Sequence, residues 1–135
     1  MQIRWKLKSR SELDVVCAAV VGPIDQPTEI VAGLPIDGVL RIVGRTSVLR
    51  PADSRALARW LKPPESLHPW PSVVKGRTLD RFNRDASPVA LTLVKPVVIE
   101  VSADAAWSGR SFRHVLRYIR VRPELNPDDV GVPDR

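Results

Sequence analysis

Five arginines, Arg110, Arg113, Arg117, Arg120 and Arg122, fall within thirteen residues. A guanidinium is a planar fork of donors that fits phosphate oxygens two at a time, so this stretch is the strongest anion-binding signal in the chain. The plainer reading is a charged outer face with packed stems. Lys6 and Lys8 stand two apart near the N-terminus, a spacing that puts both on one face of a strand and within reach of a single anion. Here the plainer reading is a solvated basic end. Arg41, Arg45 and Arg50 accompany the hydroxyls of Thr46 and Ser47; these could equally be an exposed strand edge. Metal chemistry has little support, because His68 and His114 are far apart and no second Cys or His sits at ligand spacing. Both histidines read as structural. Cys17, between Val16 and Ala18, reads as a small core residue. Four tryptophans could stack unpaired bases. Trp60 is expected in the core, Trp70 is expected to pack the long loop over the barrel, and Trp107, in a turn, is the exposed candidate. An aromatic content of 5% favours contact with a duplex backbone over a stacking mode.

These groups sit on a basic body. The chain has 135 residues and a formal net charge of +6. Residues 1–122 carry a net +9 and the rest −3. A basic body suits a polyanionic partner. The length suits one small domain. A single cysteine excludes an intrachain disulfide. No apolar run approaches the 18 or so residues of a membrane span, and the N-terminus lacks the apolar core of a signal peptide. The default expectation is a cytoplasmic protein, associated with the nucleoid if it binds DNA, and with no membrane partner.

The elements that must position the arginines are mostly strands. Leu13 to Val21 is an apolar, β-branched run ended by Gly22-Pro23. Glu29 to Ile36 and Val39 to Val43 flank Asp37-Gly38, a strong short-hairpin signal. A helix opens at Arg50-Pro51, with Ala56, Leu57, Trp60 and Leu61 on its apolar stripe, and Pro63-Pro64 stops it. Residues 63–96 hold six prolines and read as a long loop of the functional or mobile kind. Val97 to Val101 is a fourth strand. Ser111 to Val121 fits helix or strand; its placement between Ser108-Gly109 and Pro123 favours a strand. Asn126-Pro127-Asp128-Asp129 reads as a capped helical turn. The expected fold is all-β with one or two helices: an OB-fold, a five-stranded Greek-key barrel with a helix between strands three and four. Residues 1–12 form a leading segment, 13–123 the barrel and 124–135 an acidic tail. That tail could mask the basic face; the plainer reading is a frayed terminus.

An ordered set of stretches carries a family resemblance: Trp5-Lys6-Leu7-Lys8, Glu12 to Val16, Gly44 to Ser47, His68-Pro69-Trp70, Pro96 to Val101, Phe112-Arg113-His114 and Arg120 to Pro123. Over residues 4–130 the chain resembles the C-terminal OB domain of bacterial ATP-dependent DNA ligases, especially the short accessory kind associated with end joining. The resemblance implies an OB domain that wraps nicked duplex DNA and swings over a nucleotidyltransferase domain. There its motif VI basic residues orient the β- and γ-phosphates of ATP. Lys6 and Lys8 match motif V, and Arg113, Arg120 and Arg122 fall in motif VI. Arg41, Arg45, Thr46, Ser47 and Arg50 lie where such domains face DNA, and Arg110 and Arg117 extend that basic surface. The ending Arg120-Val121-Arg122-Pro123 departs from the commoner Arg-x-Asp-Lys.

The nucleotidyltransferase signature is absent. No Lys-x-Asp-Gly occurs; Ile36-Asp37-Gly38 lacks the lysine, since positions 34 and 35 are Leu34 and Pro35. A lysine nucleophile is required for the adenylate intermediate, so these residues alone do not ligate DNA. The expectation is a nucleic-acid-binding module that is cut, or encoded, without its catalytic partner. ATP and Mg2+ enter only with a nucleotidyltransferase domain, and nick sealing in repair is the joint activity. Two other classes stay open: a protein-interaction module docking through the 63–96 loop, and a non-functional remnant of a split ligase.

Overall fold

A computed structural model describes residues 11–79, 87–103 and 107–133. Lys6 and Lys8, and most of the leading segment, lie outside the described residues. The chain runs β1 (Ser11–Val21), β2 (Glu29–Ile36), β3 (Val39–Arg45), α1 (Pro51–Ala58), β4 (Val73–Lys75), α2 (Gly76–Leu79), β5 (Pro88–Ala90), β6 (Thr92–Ala103) and β7 (Arg117–Val121), then a 3-10 turn at Pro127–Asp129. Five strands form one sheet in the order β3-β2-β1-β6-β7, with every neighbouring pair antiparallel. The sheet closes on itself where the end of β3 meets the approach to β7. Thr46 bridges Leu116 in parallel, and the amides of Phe112, Leu116 and Ser47 donate to the carbonyls of Val43, Arg45 and Leu116 at 2.8, 2.9 and 2.9 Å. That is the expected OB-fold, with α1 between the third and fourth barrel strands.

The hairpin forms as its dipeptide demands. Ile36 pairs with Val39, and the two turn residues Asp37 and Gly38 both take positive φ, 53° and 79°. That is the geometry of a two-residue turn whose twist matches the strands.

β1 is apolar without alternation because both of its faces are covered. Val15 to Val20 are all fully buried. Val15, Cys17 and Val20 point into the barrel with Ile30, Leu34, Ile99 and Leu116, whereas Val16, Ala18 and Ala19 pack against Trp70, Leu79 and Leu91 outside it. Burial pushes the Cys17 thiol up to about 12, as a small core residue requires.

The outer cover comes from the proline-rich stretch. This is no featureless loop: it builds the small β4–β5 sheet and α2, and it pins itself across the barrel wall. The ladder register slips between Cys17 and Ala19 against both neighbouring strands. The carbonyl of Ala18, at that bulge, bonds to His68 Nε2 at 2.8 Å, while His68 Nδ1 accepts the Trp70 amide at 3.0 Å. The Nδ1 acceptor role leaves Nε2 as the donor. Trp70 Nε1 donates to the Leu40 carbonyl at 2.9 Å, and the indole lies over Gly33, where a Cβ would come within 2.6 Å of the ring. Only glycine admits the ring there.

Two expected core positions differ. The buried stripe of α1 is Ser54, Leu57 and Leu61; Ala56 is exposed and Trp60 is 48% exposed. The helix ends at Ala58, and the Trp60 amide bonds the carbonyl of Leu57, three residues back, at 2.9 Å. Trp60 thus lies beyond the last helical residue, where the stripe's spacing of about 100° per residue no longer applies. The acidic tail is likewise no frayed end over its first half. Asn126 caps the 3-10 turn by accepting the Asp128 amide at 2.9 Å, and Val130 packs against both apolar clusters.

Candidate nucleic-acid interface

The arginines separate into groups with different electrostatic surroundings. The first group gathers at one side of β3. Ser108 to Ser111 form a tight turn: the Ser108 amide donates to the Ser111 carbonyl at 3.0 Å, and the Ser108 hydroxyl oxygen accepts the Ser111 amide at 3.2 Å. Gly109 takes φ 90° at its corner. The turn is anchored by a bridge between Trp107 and Phe112, whose rings lie 4.8 Å apart. Trp107 is therefore packed against the core and is not the exposed stacking residue expected from sequence. The turn carries Arg110 to a groove of about 780 Å3, which Arg41 and Ile42 of β3, Trp70 and Thr78 of α2 also line. A smaller cleft continues from Thr78 and Arg110 and is lined by Arg77 as well. Three guanidiniums thus come from three elements, β3, α2 and the 108–111 turn.

The second group flanks a cleft of about 530 Å3 that contains Ser47, Arg50, Asp53, Arg117 and Tyr118. Burial, and then the charge of Asp53, pushes the Tyr118 hydroxyl up to about 12, so it stays a neutral donor. Among the described residues, Arg41, Arg50, Arg77, Arg110 and Arg117 make no ion pair.

The third group is held by carboxylates. Arg120 sits opposite Glu100 across the β6–β7 ladder and donates to it at 2.7 Å. Arg122 donates to Glu124 at 2.9 Å and lies 3.5 Å from Asp14 of β1. The Glu124 hydrogen bond, then the Asp14 and other carboxylate charges, raise the Arg122 guanidinium above its ordinary value. The Glu124 carboxyl is held below the usual range by a bond to its own backbone amide and by Arg122. Arg45 is paired too, 3.5 Å from Glu29. Arg113 is exposed just before β7.

Thr46 leaves the list of surface contacts. It is 1% exposed; its hydroxyl oxygen accepts the Ile30 amide and its own amide donates to the Ile30 carbonyl, both at 3.0 Å. A strand-end threonine with both groups engaged inside the barrel offers no donor to a duplex. Arg77 is the residue the sequence reading missed. It lies in a run of irregular chain, and only the seating of α2 beside β3 brings it to the smaller cleft that adjoins the groove. Among the described residues, no three His, Cys, Asp or Glu side chains gather as metal ligands.

No protein-family model matches the sequence, and no curated protein matches it. Solved structures do. The chain superposes on the ligase domain of Mycobacterium tuberculosis LigD with a TM-score of 0.65 and 22% identity, covering 93% of this chain and 40% of that one. It also superposes on a mycobacterial DNA ligase D complexed with ATP and MES, with a TM-score of 0.58 and 22% identity over 96% of this chain and 38% of that one. The chain thus spans about 40% of the length of the ligase chains it resembles. The fold is the one these ligase chains use in that part of their length, in line with the resemblance read from the sequence.

Proposed function

We propose that this chain is the OB module of an ATP-dependent DNA ligase, that it holds the backbone of nicked duplex DNA, and that it presents motif VI-like arginines to a nucleotidyltransferase domain. The observation that carries the reading is the division of the arginines on a ligase-type barrel. Arg41, Arg77 and Arg110 in one place, and Arg50 and Arg117 in another, are free of ion pairs among the described residues and suit phosphodiester oxygens. Arg120 and Arg122 rest on carboxylates, anions that the phosphates of a nucleotide would replace. In this reading those two orient a triphosphate, and Lys6 and Lys8, by their match to motif V, are assigned to its phosphates as well. The lysine nucleophile, ATP and Mg2+ belong to the nucleotidyltransferase domain. The bound cation would neutralise charge on the phosphates; this chain's part is to orient them.

The test is an anisotropy titration of a nicked duplex at low and moderate salt. Neutralising several phosphates gives an affinity that falls steeply with salt. Arg41→Ala/Arg110→Ala is expected to weaken binding about tenfold or more and to lower the logarithmic salt slope by about two. Absence of binding at low salt would sink the proposal.

A further inference from the structure

The groove beside β3 is built for more than a phosphate. Its volume of about 780 Å3 is in the range of sites that enclose a small molecule, about 300–1,000 Å3. Its floor is apolar, with Leu40, Ile42 and Trp70, and its rim is cationic. The floor is also rigid, since the Trp70 indole is fixed by its bond to the Leu40 carbonyl and by the ring's seat over Gly33. A stacked duplex presents phosphates, sugars and base edges, and none of these needs an apolar floor. A nucleotide that has left the stack presents a flat apolar face next to a phosphate.

We infer that this groove takes one unpaired nucleotide of a DNA strand, with its base on the Leu40–Ile42–Trp70 floor and its phosphate between Arg41 and Arg110, toward Arg77 of the adjoining cleft. Asp37, the acidic residue on the wall, is an acceptor for an exocyclic amino group of the base. The inference rests on the DNA-binding reading above and adds to it a substrate feature, a displaced or frayed nucleotide at the break. It also gives the β4–α2–β5 insertion a task, because Thr78 of α2 lines the groove and Arg77 lines the cleft that continues from it.

The test compares a nicked duplex with the same duplex carrying a one-nucleotide flap at the nick, the flap base being 2-aminopurine. The chain should bind the flapped duplex about five- to tenfold more tightly, and the 2-aminopurine emission should change on binding. Arg77→Ala, an exposed substitution that leaves the floor intact, should weaken binding of the flapped duplex at least about fivefold more than binding of the nicked duplex and so remove the flap preference. Thr78→Val serves as a second wall variant and should reduce the preference less. Equal affinity for the two duplexes, or a preference that survives Arg77→Ala, would overturn the groove assignment while leaving DNA binding in place. Failure to bind either duplex would instead overturn the DNA-binding reading, and the groove assignment with it.

Discussion

The guanidiniums beside β3 and those at the end of β7, Arg120 and Arg122, are chemically identical and sit on one small barrel, yet their surroundings differ in kind. Arg41 and Arg110 line a groove with an apolar floor, Arg77 lines the cleft beside it, and the three make no ion pair among the described residues. Arg120 and Arg122 each donate to a carboxylate within 3 Å. The number of arginines therefore says little about where an anion lands. A guanidinium already bonded to Glu100 or Glu124 must exchange one anion for another, and it gains only the difference. Exposed pairs of this sort contribute little to stability, so the exchange is easy for a multivalent polyphosphate and unrewarding for a single phosphodiester. On the proposed function, the groove would take the DNA strand and the end of β7 the more concentrated charge.

The comparison can be broken most severely by removing one of its sides. Trp70→Ala deletes the side chain that seats the insertion over β1 and β3, and a change of this size in a packed site costs about 3–5 kcal/mol. The melting temperature should fall by on the order of 10 °C, and whatever DNA binding remains should lose its groove component. Calorimetry alongside the anisotropy titration checks both. A smaller effect sharpens the contrast. Arg120→Ala/Arg122→Ala should weaken binding to a nicked duplex less than about threefold, against tenfold or more for Arg41→Ala/Arg110→Ala. An equal loss in the two double variants would erase the distinction between the faces. The smallest effect is a pH dependence. Glu124 titrates lower in the folded chain than when unfolded, so its link to Arg122 is fully present above the ordinary carboxylate range. The link is lost as pH falls through the lower folded value. The difference in melting temperature between the parent chain and Glu124→Gln should be constant near neutrality and shrink on acidification, as thermal melts from pH 7 to pH 3 would reveal.

Much of the barrel was legible because its signals are local. The Asp37-Gly38 turn, the apolar run of β1 and the proline-bounded helix each carry their own physics within a few residues, and their order indicates an OB-fold. What escaped depends on contacts distant in sequence. Arg122 and Asp14 are brought together across 108 positions, and no pattern near either announces the other. Thr46 reads as an exposed hydroxyl beside two arginines, but closure of the barrel buries it. The insertion hid for a different reason. Its strands have three residues each, too few for alternation to show, and its cohesion comes from one indole over Gly33 and one imidazole at a bulge. Arg77 was overlooked with it. Trp60 and Trp107 were misplaced by the converse error, since the helix ends before the first and a ring partner partly covers the second.

The closing seam has a consequence for how the molecule comes into being. Thr46 and Leu116 meet across 70 positions of chain, so their pairing carries a loop-closure cost that the hairpin at Asp37-Gly38 does not. Contacts of such long range slow folding. The turn bearing Arg110 lies next to that seam, whereas Arg41 belongs to the early-forming hairpin. A chain with its meander made and its barrel still open has half of the groove's charge in place and the rest attached to an undocked segment. Binding competence is thus a late product of folding, and a polyanion held between Arg41 and Arg110 would act as a clasp on the finished barrel.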